Sequence, residues 1–178
     1  MTDEARIADP VPVLARLPRG SAVILRHYQA PDRPALAKRM ARQARALGLP
    51  LLVAGDWRLA AAVRAGGLHL PDFAARRGPA PGARLWVKRR LLSVAAHDRR
   101  SLARARALHA DAALLSPLFA TASHGVAKIL GVTRAGLMMR IAKLPVLALG
   151  GVRLTHAGAL KRRGFVGIAG IGFGLGED

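Results

Sequence analysis

The sequence predicts an α/β fold on a parallel sheet, from two glycine-ended strands near the C-terminus and a strand–helix alternation along the chain. The first strand signal is Leu144-Pro145-Val146-Leu147-Ala148-Leu149-Gly150-Gly151-Val152. The second is Phe165-Val166-Gly167-Ile168-Ala169-Gly170-Ile171, with a helical pattern between them. TIM barrels end successive strands in this way to hold phosphate: backbone N–H groups approach the anion closely, and a Cβ would stand in the way. A phosphorylated small molecule is therefore the first ligand class to consider. Tight strand-to-helix turns with no ligand would leave the same glycines.

The remaining elements follow from apolar periodicity and turn residues. Ser21 to Tyr28 is a strand candidate, and Pro34 to Leu47 carries helical spacing that stops at Gly48. Leu49 to Gly55 is a second strand, followed by a helix from Trp57 to Ala65 and a short strand from Leu68 to Leu70. Pro79 to Gly82 reads as a turn cluster and Arg84 to Val87 as a brief extended piece. Leu91 to Ala95 is the next strand. Asp98 to His109 is a helix for which Asp98 can serve as N-cap, its carboxylate accepting from orphan N–H groups. Ala112 to Leu115 is a strand, Val126 to Ala142 holds a helix, with a start only after Thr133 as the alternative, and Thr155 to Arg163 holds the last. Repeated units of this kind with no long linker imply a single domain with a closed or open parallel sheet. Seven strands are in sight where a closed barrel has eight.

Composition narrows the classes. A chain of 178 residues is large enough for a real core. It has no cysteine, which excludes a disulfide framework and a thiolate zinc site. No apolar run reaches the roughly 18 residues that span a bilayer, and there is no signal-peptide pattern, so a cytoplasmic location is expected. The net charge of +19 raises nucleic acid as a partner. The positive residues are mostly arginine and are spread through every helix, so a favourable field for anionic substrates is the preferred reading.

Four pieces, in order, resemble the thiamine phosphate synthase/TenI family over about Ser21 to Gly174. Leu51-Leu52-Val53-Ala54-Gly55-Asp56 is similar to the strand that ends in an Asn-Asp pair, and Gly67-Leu68-His69-Leu70 to the Gly-Val-His-Leu turn. Ala110 to Thr121 resembles the signature of aspartate, strand and Gly-Pro-hydrophobic-Phe-x-Thr, and Leu149-Gly150-Gly151-Val152 the Ile-Gly-Gly-Ile phosphate turn. The resemblance implies a TIM (β/α)8-type barrel, here shortened at its first strand, with Met1-Thr2-Asp3 as that strand's tail. Val11 to Leu14 is the alternative occupant of the gap. An exposed edge is compatible with a homodimer.

The resemblance also implies a reaction: a hydroxymethylpyrimidine pyrophosphate is joined to a thiazole phosphate, with magnesium and release of pyrophosphate. The thiazole phosphate half of the site looks present. Gly150 and Gly151 match the phosphate turn, Gly170 and Ile171 its complement, and Thr121 and Ser123 the Thr-x-Thr loop. The pyrophosphate half is depleted. Arg26 matches the arginine of a Gln-x-Arg-x-Lys strand whose flanks here are Ile24 and Tyr28. Asp56 matches one magnesium aspartate, but Gly55 replaces the neighbouring asparagine and Ala74 the second aspartate, with Asp72 nearby. Ala95 stands at the serine, and His124 at the lysine after the Thr-x-Thr loop. His97 matches the histidine of a Ser-x-His segment, which TenI relatives use to tautomerise a thiazole carboxylate phosphate; helix capping is its structural alternative. His69 is expected to be structural. The leading expectation is a synthase-like transferase with a partly degenerate pyrophosphate site. The alternatives are a tautomerase using His97 and a non-catalytic barrel that binds phosphate ligands.

Overall fold

The computed structural model describes residues 1–120 and 129–175. Within them the chain forms two compact units, each described by itself.

One unit comprises Met1–His69, Pro79–Leu91 and the described residues from Ile171 on. Its strands β1 (Val23–Leu25), β2 (Leu51–Ala54) and β3 (Gly67–Leu70) run parallel, in the register Val23↔Leu51 and Ala54↔His69. All three are buried along their length, as expected of parallel strands covered on both faces. Helix α1 (Arg33–Ala46) starts at Asp32, whose carboxylate accepts from the Ala35 N–H at 2.9 Å. Ala37, Met40, Ala41 and Ala44 are its buried face, at the spacing of one helical stripe. They pack with Leu14, Leu25, Leu51 and Val53 into this unit's core. Helix α2 (Trp57–Ala62) follows β2.

Two sequence expectations change in this unit. Pro79 to Val87 is not a turn and an extended piece: helix α4 spans Pro81–Val87. Pro81 opens it, where a fixed φ and a missing N–H cost nothing. Gly82 sits against Trp57, whose ring would lie 2.9 Å from an added Cβ, so this glycine marks a close contact rather than a break. Pro12–Arg16 is a 3-10 turn with Leu14 buried, so the strand alternative for Val11 to Leu14 does not hold. Residues 1–3 do lie along β1: the Thr2 N–H donates to the Ile24 carbonyl at 2.9 Å, and its hydroxyl accepts from the Arg26 N–H at 3.0 Å.

The other unit comprises Leu70–Gly78 and Leu92–Gly170. Helix α3 (Asp72–Arg77), which the sequence reading leaves out, lies here. Strands β4 (Leu91–Ala96), β5 (Ala112–Leu115), β6 (Val146–Ala148) and β7 (Gly167–Ile168) pair in parallel, through Ser93↔Ala112, Ala113↔Val146 and Leu147↔Gly167. Helix α5 (Arg99–Ala107) carries the expected cap and a reciprocal one: Asp98 Oδ1 accepts from the Ser101 N–H at 2.7 Å, and Ser101 Oγ from the Asp98 N–H at 2.9 Å. Helix α6 spans Val132–Ala142; residues 126–128 of the expected helix lie outside the described residues. The last helical stretch is a 3-10 turn, Leu154–His156, running into α7 (Ala157–Arg162).

Candidate active site

In barrel folds catalytic groups sit at the C-terminal ends of the strands, and the expected residues of each unit follow such ends. In the second unit, β6 ends at Ala148 and the chain turns through Gly150 and Gly151, at φ +87° and +63°. An L side chain is strained at such angles. The segment Ser116–Ala120 lies directly on this turn: Leu118 and Phe119 donate their N–H groups to the Leu149 and Gly150 carbonyls, both at 2.9 Å. A Cβ on Gly150 would come within 2.8 Å of the Pro117 Cα, and one on Gly151 within 2.2 Å of the Ala120 carbonyl oxygen. Part of the glycine requirement is thus internal packing. The N–H groups of Gly150 and Gly151 donate to no protein acceptor among the described residues.

The neighbouring strand β7 ends beside β6, with the Ala169 N–H donating to the Ala148 carbonyl at 2.7 Å. Gly170, which follows, is not among the left-handed glycines and has interactions of its own. Ile171 opens the 3-10 turn Gly172–Gly174 in the first unit. Thr121, Ser123 and His124 lie outside the described residues.

His97 follows β4 directly and is exposed. Its backbone N–H donates to Ser101 Oγ at 2.8 Å, which ties it to the α5 cap. Its Nδ1 is 2.8 Å from the Ser116 carbonyl oxygen. A carbonyl can only accept, so Nδ1 carries a proton and, in the neutral ring, Nε2 is the nitrogen that can take one up. A motif can point to a histidine but not to its tautomer, which here depends on a carbonyl 19 residues away. His156, which the sequence reading passes over, lies with its ring centroid 4.6 Å from that of Phe119, on the same segment.

In the first unit, Arg26 follows β1 and is half-buried, its guanidinium 3.7 Å from Asp3. His27 beside it is buried: its Nε2 lies 2.8 Å from the Ile7 carbonyl and its Nδ1 2.8 Å from the Thr2 hydroxyl, so it clamps the N-terminal segment. Arg33 is the functional candidate that motif reading misses. It starts α1, and its Nη2 reaches back to the Ala54 carbonyl at the end of β2, at 2.7 Å. His69 is buried in β3. Burial first, then the charge of Arg26, pushes its imidazole down to about 3, so it stays neutral and does not act as an acid near neutrality.

The carboxylates offer little to a magnesium–pyrophosphate site. Asp56 Oδ1 caps α2, accepting from the Leu59 N–H at 2.9 Å. Asp72 faces two guanidiniums, Arg76 at 2.7 Å and Arg104 at 3.2 Å. Magnesium takes near-octahedral oxygen ligation and usually one or two free carboxylates. No group of three or more potential metal ligands occurs among the described residues.

Comparison with known proteins agrees with the fold and motifs. The family model described as thiamine monophosphate synthase matches residues 3–172. The thiamine-phosphate synthase of Bacillus velezensis is 27% identical over 176 residues, covering 91% of this chain and 75% of the relative. That of Geobacillus kaustophilus is 30% identical over 147 residues, 78% of this chain and 62% of the relative. Among solved structures, thiamine phosphate pyrophosphorylase from Pyrococcus furiosus superposes with a TM-score of 0.76 at 21% identity, over 97% of this chain and 85% of that one. This likeness assigns the expected TIM-like barrel fold class. The chain belongs to the thiamine monophosphate synthase family.

Proposed function

We propose that this chain is a transferase that joins a hydroxymethylpyrimidine pyrophosphate to a thiazole phosphate, releasing pyrophosphate. The observation that carries the reading is the Gly150-Gly151 turn, whose two N–H groups are uncommitted among the described residues, in a chain that matches the family over residues 3–172. Those donors suit the thiazole phosphate, with Gly170 at the end of the neighbouring strand. The positive field of the chain favours both anionic substrates. Arg26 is the cation for the leaving pyrophosphate. Developing charge on a leaving group is best met by donors already in place. Asp56 acts in this reading first as a helix cap, through Oδ1.

A second reading rests on His97. With Nδ1–H bound to the Ser116 carbonyl, Nε2 is poised to accept a proton and return it elsewhere on a thiazole ring, which is the requirement of a tautomerase. The two readings separate on two variants. If the chain is a synthase, Arg26→Gln slows pyrophosphate release from the paired substrates, and His97→Gln leaves most of it. If it is a tautomerase, no pyrophosphate is released, and His97→Gln removes isomerisation of a thiazole carboxylate phosphate. No helix among the described residues is long and apolar enough to cross a membrane, which suits an assay in free solution.

A further inference from the structure

The chain just beyond β1 and β2 carries a charge arrangement that the reading above uses only in part. Arg33 is the first residue of α1. A cation there faces the positive end of the helix dipole and is disfavoured. Its guanidinium is nevertheless held inward, with Nη2 on the Ala54 carbonyl and Cζ 5.3 Å from the centre of the Tyr28 ring. Its Nε–H is buried with no partner, and no carboxylate pairs with it among the described residues. An unpaired, buried charged donor is costly, and each such group calls for an explanation. Arg26 approaches the same ring: the charges of both arginines act on the Tyr28 phenol. Arg26 donates to the Tyr28 hydroxyl, while its 3.7 Å approach to Asp3 is beyond hydrogen-bond distance.

We propose that Arg26 and Arg33, with Tyr28 between them, form a metal-independent site for a diphosphate group at the ends of β1 and β2. Guanidiniums present planar forks of donors that match phosphate oxygens, and they carry their charge at every accessible pH. The Tyr28 hydroxyl adds a donor where the family pattern has lysine. The pair takes over the neutralisation for which the carboxylates are unsuited: Asp56 caps a helix, and Asp72 is bound by Arg76 and Arg104. The mismatch of Arg33 with its helix end and its orphaned Nε–H then have one cause, an acceptor supplied by the ligand. That this diphosphate belongs to the pyrimidine substrate rests on the proposed function; the site itself does not.

The test is calorimetric titration of the whole chain with inorganic pyrophosphate in excess EDTA. Saturable binding that survives EDTA is expected. Arg33→Gln should weaken it about tenfold or more, the loss of one charge-assisted contact. Arg33→Lys should retain part of it, and Tyr28→Phe should weaken it by less than Arg33→Gln. Asp3→Asn should tighten it by freeing Arg26. Arg42→Gln, an exposed arginine more than two turns further along α1, controls for overall charge and should leave affinity nearly unchanged. Melting temperatures without ligand separate folding from binding. An Arg33 that only ties α1 to β2 would lower the melting temperature and leave affinity alone, which overturns the proposal. So would binding that appears only with magnesium, or equal losses in Arg33→Gln and Arg42→Gln. If pyrophosphate binds as described while no thiamine phosphate forms from the paired substrates, the site stands and the synthase reading fails.

Discussion

Replacing Gly151 by alanine combines two penalties that Gly48 and Gly67 carry singly. At φ +63°, alanine must adopt a left-handed backbone, at about 1–2 kcal/mol. Its Cβ would also meet the Ala120 carbonyl oxygen at 2.2 Å and the Phe119 Cβ at 2.9 Å. The first is backbone and cannot swing aside, so the whole Ser116–Ala120 segment must move, and overpacking of this kind costs about 1–3 kcal/mol. The sum is about 2–5 kcal/mol. Gly48→Ala isolates the first penalty, because Gly48 has φ +66° and nothing within 4 Å of a new Cβ. Gly67→Ala isolates the second: its backbone is not left-handed, and its Cβ would lie 2.2 Å from the Leu91 carbonyl oxygen. All three share the same entropy gain in the unfolded chain, about 0.4–1 kcal/mol in favour of alanine, so it enters the sum of two variants twice and each single variant once. Urea unfolding of the three variants should rank Gly151→Ala as the most costly, above the sum of the other two by about that one entropy term. A Gly151→Ala variant no less stable than Gly48→Ala would refute the argument that the turn is glycine because the Ser116–Ala120 segment rests on it.

Three further outcomes are expected. Asp98→Ala removes an N-cap and one half of a reciprocal pair with Ser101, and should cost about 0.5–2 kcal/mol in urea unfolding; a loss within error would mean the cap is dispensable. The His69 imidazole is held at about 3 when folded, by burial first, but titrates near 6.5 when unfolded. Between those values the unfolded chain binds the extra proton, so stability falls as pH drops below about 6.5, by up to roughly 1.4 kcal/mol per pH unit from this group. His69→Gln should flatten that slope between pH 6.5 and 4, and an unchanged slope would contradict the assignment. Under the second functional reading, His97→Gln should slow isomerisation of a thiazole carboxylate phosphate about 10²–10⁴-fold with the unfolding midpoint preserved; unchanged isomerisation would remove His97 from any acid–base role.

The strands were legible because buried parallel strands are continuous apolar runs, as in Leu51–Ala54 and Ala112–Leu115. Helix α5 was legible because its cap is local: Asp98 and Ser101 are three residues apart. Helices α3 and α4 were not, because they are six and seven residues long and are bounded or opened by Pro71, Gly78 and Pro81, which read as breakers. Whether Gly82 breaks a helix or receives Trp57 depends on a contact 25 residues away. The candidate site divides in the same way. Motif order points to His97, Arg26 and the Gly150-Gly151 turn. The tautomer of His97, the weight of Phe119 and Ala120 on Gly151, and the inward hold on Arg33 are all long-range. Arg33 left one local trace, a cation at the positive end of a helix.

The central claim is that this chain makes thiamine phosphate. The most direct measurement is product formation by the full chain, given hydroxymethylpyrimidine pyrophosphate and thiazole phosphate in a magnesium-containing buffer and followed by mass detection of the joined product alongside released pyrophosphate. The account predicts the two in equal amounts, accumulating over many turnovers and slowed by Arg26→Gln. Neither product above the protein-free control, with both substrates intact, would contradict it.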